Sequence, residues 1–151
     1  SQFLLPAACR RLLVLPCLFL EEIALTEPTA LPETRVLIVE DDAIINRHLQ
    51  SCLLKVGYRV VGTTSSGSEA IKLASQTSPD VVLMDISLHG EMDGIEAAEA
   101  IRSWHDIPVI FLTAFADEQS LQRAKATNPF GYILKPFDQR SLYTTIEMAM
   151  N

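Results

Sequence analysis

Residues 79–85 read PDVVLMD, an apolar run that follows a turn signal and ends in the carboxylate of Asp85. Such a short run of β-branched and long apolar residues is typical of a strand buried on both faces of a sheet. Three further apolar runs end in polar residues: 36–39 before Glu40 and Asp41, 109–112 before Thr113, and 132–134 before Lys135. Because ligands bind beyond the carboxyl ends of parallel strands, we expect these polar side chains to meet at one site.

From Arg35 onward, runs of this kind alternate with segments whose apolar residues recur at helical spacing. The predicted strands are residues 35–39, residues 58–63, the run after Pro79, the run opened by Pro108, and the run after the turn at 128–131. The predicted helices are residues 43–55, 66–76, 94–104, 117–126 and a last helix capped by Asp138. This alternation predicts an α/β fold of the flavodoxin-like kind, a doubly wound five-stranded parallel sheet in the order 2-1-3-4-5 with five helices.

The composition limits the class of protein. With 151 residues, of which 48% are hydrophobic and 21% charged, the chain is long enough for one globular core. Its formal net charge of −7 argues against a built-in nucleic-acid surface, which needs clustered Lys and Arg, so a DNA-directed role would need another partner or domain. Cys9, Cys17 and Cys52 have neither disulfide nor metal spacing, which favours a reducing compartment, and we expect a cytoplasmic protein.

Residues 1–33 differ in kind from the rest. They are rich in Leu, Pro and Ala, and four prolines interrupt any helical pattern. Their apolar stretch, residues 12–20, is much shorter than the roughly 20 residues that span a bilayer, so no membrane insertion is expected. We expect residues 1–33 to be a poorly ordered or loosely docked extension of a domain at 34–151, with a secretion signal or a short interaction helix as alternatives.

The residues at the predicted strand ends favour one kind of chemistry. Carboxylates gathered within a few ångströms repel each other, and a hard divalent ion resolves the repulsion. Asp41 and Asp85, with Glu40 behind them, suit Mg²⁺, which takes one or two carboxylates and bridges to phosphate oxygens. An aspartate beside such an ion can act as a nucleophile and form an acyl phosphate, whose charge the Lys135 ammonium and the Thr113 hydroxyl would stabilise.

In this order, five segments resemble the response-regulator receiver domain of two-component signalling. The segments are VLIVEDD at 36–42, PDVVLMD at 79–85, MDG at 92–94, PVIFLTA at 108–114 and GYILKPF at 131–137. The resemblance covers about residues 34–150. It implies a signalling module that at most slowly phosphorylates and dephosphorylates itself, and not an enzyme with turnover.

The resemblance also assigns roles around the acidic residues. Asp85 would accept a phosphoryl group from a phosphohistidine on a sensor histidine kinase or a histidine phosphotransfer domain. Asp41, Asp85 and the backbone carbonyl of Ser87 would ligate Mg²⁺, and Glu40 would act largely through water. Asp42, one residue past the acidic pair of the family, is expected to start a helix.

The remaining implied roles concern the readout of the phosphoryl group. Thr113 would hydrogen-bond a phosphoryl oxygen, and Lys135, whose bond to Pro136 is cis in similar domains, would pair with it. Tyr132 matches the aromatic position that swings inward on activation. These movements would bias a surface built from the fourth helix, the fifth strand and the fifth helix, through which the resemblance also allows a homodimer.

Two positions depart from the family pattern. Many receivers have a proline four residues after the phosphorylated aspartate, where this chain has His89, and Gly90-Glu91 lengthen the loop. We interpret His89 as a solvated loop histidine in preference to a pH sensor or a metal ligand. Ser87 and Phe115 correspond to residues that flank the path of hydrolytic water, and bulky Phe115 is expected to lengthen the lifetime of the acyl phosphate.

Other classes fit the residues less well. A Mg²⁺-dependent aspartyl-phosphate hydrolase of the haloacid dehalogenase kind characteristically has a second aspartate two residues after its nucleophile, where this chain has Ser87. A pseudo-receiver usually lacks the acidic or lysine positions, which are all present here. A nucleotide-binding domain is disfavoured because no glycine-rich loop follows the first predicted strand.

Overall fold

The computed structural model describes residues 33–114 and 118–151. Five strands and five helices alternate along this part of the chain: β1 (Arg35–Val39), α1 (Ala43–Lys55), β2 (Arg59–Thr64), α2 (Gly67–Thr77), β3 (Val81–Asp85), α3 (Gly94–Trp104), β4 (Val109–Thr113), α4 (Glu118–Ala126), β5 (Gly131–Leu134) and α5 (Gln139–Met150). The expectations for residues 1–32 and for Phe115 lie outside the described residues.

The strands form one parallel sheet in the order β2-β1-β3-β4-β5, which confirms the predicted topology. Its register aligns the carboxyl ends of the strands. Val39 pairs with Met84, Asp85 with Leu112, and Thr113 with Leu134. The residues that end or follow β1, β3, β4 and β5 therefore lie along the same edge of the sheet.

The core has two layers, one on each face of the sheet. On one face, strand residues such as Leu37 and Phe111 pack against α2, α3 and α4. On the other face, strand residues such as Ile38 and Leu83 pack against α1 and α5. Because the apolar residues of β1, β3 and β4 are buried on both faces, these strands are apolar throughout, without the alternation of a half-exposed strand.

Polar side chains begin the helices as the sequence suggests. Asp42 accepts hydrogen bonds from the backbone N–H groups of Ile44 and Ile45, so it caps α1, as expected. Asp93 and Glu96 form a reciprocal capping box at the start of α3. Similar caps are Ser66 for α2 and Asp138 for α5.

Some details differ from the sequence prediction. β2 begins at Arg59, one residue later than predicted, because the Tyr58 N–H still closes the end of α1 by donating to the Leu53 carbonyl. Gly57, with φ of +90°, makes the turn between them. Ile44, which helical spacing assigns to the apolar stripe of α1, is 76% exposed. It lies in the first turn of α1, and the buried positions begin only at Leu49.

The described helices are short. The longest, α1, has 13 residues, and among the helices in residues 33–114 and 118–151 we find no candidate for a membrane-spanning segment. Cys52 is buried in the layer between the sheet, α1 and α5, as its place on the apolar face of a predicted helix indicates.

Candidate functional site

Three carboxylates meet at the carboxyl edge of the sheet. Glu40 and Asp41 follow β1, and Asp85 ends the neighbouring strand β3. One carboxylate oxygen from each lies within 4.8 Å of the other two. Glu40 and Asp85 are buried, whereas Asp41 is partly exposed. The structure therefore brings together the acidic residues that the strand ends predicted.

Lys135 supplies a positive charge to this cluster. It follows β5, and its backbone N–H donates to the Thr113 carbonyl at 2.8 Å. Its Nζ lies 3.0 Å from Glu40 Oε1 and 3.4 Å from Asp85 Oδ2. Burial lowers the pKa of Lys135, but the charge of Asp85 and the contact with Glu40 outweigh burial and raise that pKa above its ordinary value. The Lys135–Pro136 peptide bond is cis, as the resemblance implies.

The surroundings of the Glu40 carboxyl disfavour its ionised form. Burial raises its pKa to about 7, and the hydrogen bond and negative charge of Asp85 act in the same direction. Its Oε1 is buried and lies 3.0 Å from the Lys135 ammonium, which offsets part of the negative charge. Three carboxylates that converge in this way, two of them buried, fit a hard divalent cation such as Mg²⁺.

Side chains of α1 support the loop that carries Glu40 and Asp41. Asn46 Nδ2 donates to the Glu40 carbonyl at 3.2 Å, and Gln50 Nε2 donates to Asn46 Oδ1 at 2.8 Å. The Asp42 N–H donates to Glu40 Oε2 at 3.1 Å. Sequence reasoning missed Asn46, whose signal is only a polar residue in the first turn after the acidic motif.

The backbone around Asp85 is closely packed. Asp85 Oδ1 accepts a hydrogen bond from the Ser87 N–H at 3.0 Å. A Cβ atom at position 94 would overlap the backbone carbonyl of Asp85, so Gly94 is required by close approach. The MDG segment at 92–94 thus contributes a helix cap, Asp93, and the absence of a side chain behind Asp85. The role of the Ser87 carbonyl as a metal ligand stays a prediction.

His89 contacts the acidic cluster. Its interpretation as a solvated loop residue did not predict this contact. Its side chain is 92% exposed, yet its Nδ1 lies 2.5 Å from Asp41 Oδ2. Its backbone N–H donates to the same oxygen at 3.1 Å. Partial burial would raise the pKa of Asp41, but these contacts with His89 outweigh burial and lower it.

Thr113 and Tyr132 occupy neighbouring strands beside the cluster. Thr113 ends β4 and is partly exposed, next to the end of β5. The ring of Tyr132 stacks on Phe111, with centroids 6.2 Å apart, and packs against the layer that contains α4. The roles of Thr113 and Tyr132 in the readout of a phosphoryl group stay predictions.

Comparison with curated proteins identifies relatives of this arrangement. The transcriptional regulatory protein PdtaR of Mycobacterium tuberculosis is 38% identical over 126 residues, which cover 83% of this chain and 61% of PdtaR. The transcriptional regulatory protein LiaR of Bacillus subtilis is 38% identical over 117 residues, which cover 76% of this chain and 55% of LiaR. The chain therefore spans less than two thirds of the length of these relatives.

Solved structures and a family match agree with these relatives. The signal receiver domain of a modulated diguanylate cyclase from Desulfovibrio desulfuricans G20 matches with a TM-score of 0.76 at 40% identity, covering 79% of this chain and 94% of that one. The chemotaxis protein CheY4 of Vibrio cholerae matches with a TM-score of 0.71 at 28% identity, covering 78% and 99%. Residues 36–147 match the family described as response regulator receiver domain. The chain therefore belongs to the receiver domains of two-component response regulators.

Proposed function

We propose that this chain is the phosphoryl-accepting receiver of a two-component phosphorelay, with Asp85 as the residue that is phosphorylated. The observation that carries the proposal is the set of charged groups around the Asp85 carboxylate. Its buried carboxylate lies 3.4 Å from the Lys135 ammonium and in the same cluster as Glu40 and Asp41. A buried carboxylate flanked by like charges and one cation is typical of a reactive site and costs stability in a purely structural one.

The reaction is a transfer between two nucleophiles. A carboxylate oxygen of Asp85 attacks the phosphorus of a phosphohistidine, the P–N bond breaks, and its electron pair returns to the imidazole nitrogen of the donor. Lys135 Nζ is close enough to Asp85 to offset the negative charge of the incoming phosphoryl oxygens. A bound Mg²⁺, held by Asp41, Asp85 and the Ser87 carbonyl, with Glu40 acting through water, would supply further charge neutralisation.

The output is a change in the surface formed by α4, β5 and α5. Thr113 and Lys135 are linked through their backbones, so movement of either toward a phosphoryl group pulls on the ends of β4 and β5. Tyr132 on β5 would follow this movement. Leu134 and Met148 expose large apolar side chains on β5 and α5, which favours this surface for a partner or a homodimer.

The proposed partner is a sensor histidine kinase or a histidine phosphotransfer domain, in the cytoplasm. Two relatives are named transcriptional regulators, but both are longer than the matched region. The net charge of −7 disfavours direct contact between this chain and nucleic acid. We therefore propose that the chain acts through proteins.

Intact mass spectrometry after incubation with acetyl phosphate and Mg²⁺ tests the function. We expect one phosphate adduct on the native chain and none on Asp85→Asn. No adduct on the native chain, or an adduct that persists in Asp85→Asn, would contradict the proposal. Steady hydrolysis of phosphate esters over multiple turnovers would instead indicate the aspartyl-phosphate hydrolase alternative.

A further inference from the structure

The loop between β3 and α3 reaches the acidic cluster through His89. Two donors of this residue, the backbone N–H at 3.1 Å and the imidazole Nδ1 at 2.5 Å, converge on one oxygen, Asp41 Oδ2. Neighbouring Leu88 is buried and anchors the loop, and Gly90, with φ of +111°, lets the chain turn away after His89. The contact is therefore a consequence of the path of the loop.

Two donors on one oxygen restrict the orientation of the Asp41 carboxylate. The other oxygen, Oδ1, accepts no hydrogen bond from His89, and an Asp41 oxygen lies within 4.8 Å of carboxylate oxygens of Glu40 and Asp85. A carboxylate already held by hydrogen bonds loses less freedom when it binds a metal ion. Partners of this kind typically change metal affinity by about 10- to 100-fold.

We propose that His89 is a positioning residue that holds Asp41 for Mg²⁺ and thereby strengthens Mg²⁺ binding about tenfold. The inference rests on the proposed metal site but assigns a role to a residue outside the ligand set. Many receivers have a proline at this position, which offers neither an N–H group nor an imidazole. The chain thus carries two donors to its metal ligand where the family pattern has none.

Isothermal titration calorimetry of Mg²⁺ binding, without a phosphodonor, tests the role of His89. We expect His89→Ala to bind Mg²⁺ about tenfold more weakly than the native chain. His89→Asn, whose neutral amide N–H lies near the place of Nδ1, should restore affinity to within about threefold, because the hydrogen bond and not a charge is what matters. His105→Ala is the matched control, since His105 contacts Ser75 beyond the end of α3, and its Mg²⁺ affinity should not change.

The result that would overturn the proposal is Mg²⁺ binding by His89→Ala that is as tight as, or tighter than, that of the native chain. Tighter binding would mean that the imidazole competes with the metal for Asp41. An Asn variant as weak as the Ala variant, or a native chain that does not bind Mg²⁺, would overturn it as well. Because the His89 side chain is 92% exposed, equal thermal unfolding curves are expected for the native chain and the two His89 variants. An Asp85-dependent phosphate adduct on His89→Ala at saturating Mg²⁺ would leave the proposed function standing in each case.

Discussion

The two edges of the sheet differ in how their charged residues are paired. At the amino edge, the backbone N–H of Arg35 donates to Asp80 Oδ2 at 2.8 Å, and the Arg35 guanidinium donates to the Ser78 carbonyl at 2.6 Å. At the carboxyl edge, Glu40 and Asp85 are buried beside each other and share one cation, the Lys135 ammonium, at 3.0 and 3.4 Å. The polar groups named at the amino edge are hydrogen-bonded and contribute to stability. The carboxylates at the carboxyl edge repel each other, and this repulsion favours the binding of a cation and the reaction with a phosphoryl group.

The largest expected effect on stability comes from adding a methyl group at the carboxyl edge, with the same addition at the amino edge as the control. Gly94→Ala places a Cβ against the Asp85 carbonyl and should lower the unfolding free energy by about 3 kcal/mol, because backbone cannot move aside cheaply. Gly131→Ala at the start of β5 is the control, since its Cβ would meet Thr145 Cγ2 at an ordinary 3.6 Å. Urea unfolding of both variants measures the difference, and equal losses would mean that the carboxyl edge is not more constrained than the amino edge.

The second prediction concerns the pH dependence of the carboxyl edge without metal. The pKa of Glu40 is raised from 4.5 to about 7, so between these values the folded chain holds a proton that the unfolded chain releases. The contribution of Glu40 to stability is therefore present below pH 4.5 and is lost as pH rises through about 7. The loss is at most about 3 kcal/mol.

Urea unfolding in EDTA from pH 5 to 8 measures this loss as the difference between the native chain and Glu40→Gln. Saturating Mg²⁺ should offset it, because the ion stabilises the ionised carboxylates in the folded state only. A difference that does not change with pH, or one that grows in favour of the native chain as pH rises, would contradict the assigned direction.

The two edges should also respond with opposite signs to the removal of one carboxyl charge. Asp85→Asn relieves repulsion with Glu40 and Asp41, so it should raise the unfolding free energy in EDTA at pH 8 by about 1 kcal/mol. Asp80→Asn weakens a charge-assisted bond to the Arg35 N–H and should lower it by about 0.5 kcal/mol. Chemical unfolding of the pair checks the opposite signs, and a stability loss in both variants would show that the repulsion is already compensated.

The sequence predicts which residues lie at the carboxyl edge better than it predicts the contacts that support them. Strand ends follow from apolar runs, and the register of a parallel sheet then brings Glu40, Asp85 and Lys135 to one edge. The contacts of Asn46 and His89 depend on loop path and side-chain rotamer, which periodicity does not contain. Helical spacing also overstates the buried stripe, since it assigns Ile44 to the stripe although this first-turn residue is exposed.

A final and small expected effect concerns side chains that support the acidic loop without taking part in its chemistry. Asn46→Ala removes the hydrogen bond from Nδ2 to the Glu40 carbonyl and should lower the unfolding free energy by about 0.5 to 1 kcal/mol. Gln50→Ala, which removes only the bond that holds Asn46, is the graded control and should cost less. Thermal unfolding in EDTA ranks the two variants. If Gln50→Ala lowers the stability as much as Asn46→Ala does, the two side chains act as one unit, because coupled neighbours do not contribute additively. Asn46 would then support the loop only when Gln50 holds the Asn46 side chain in place.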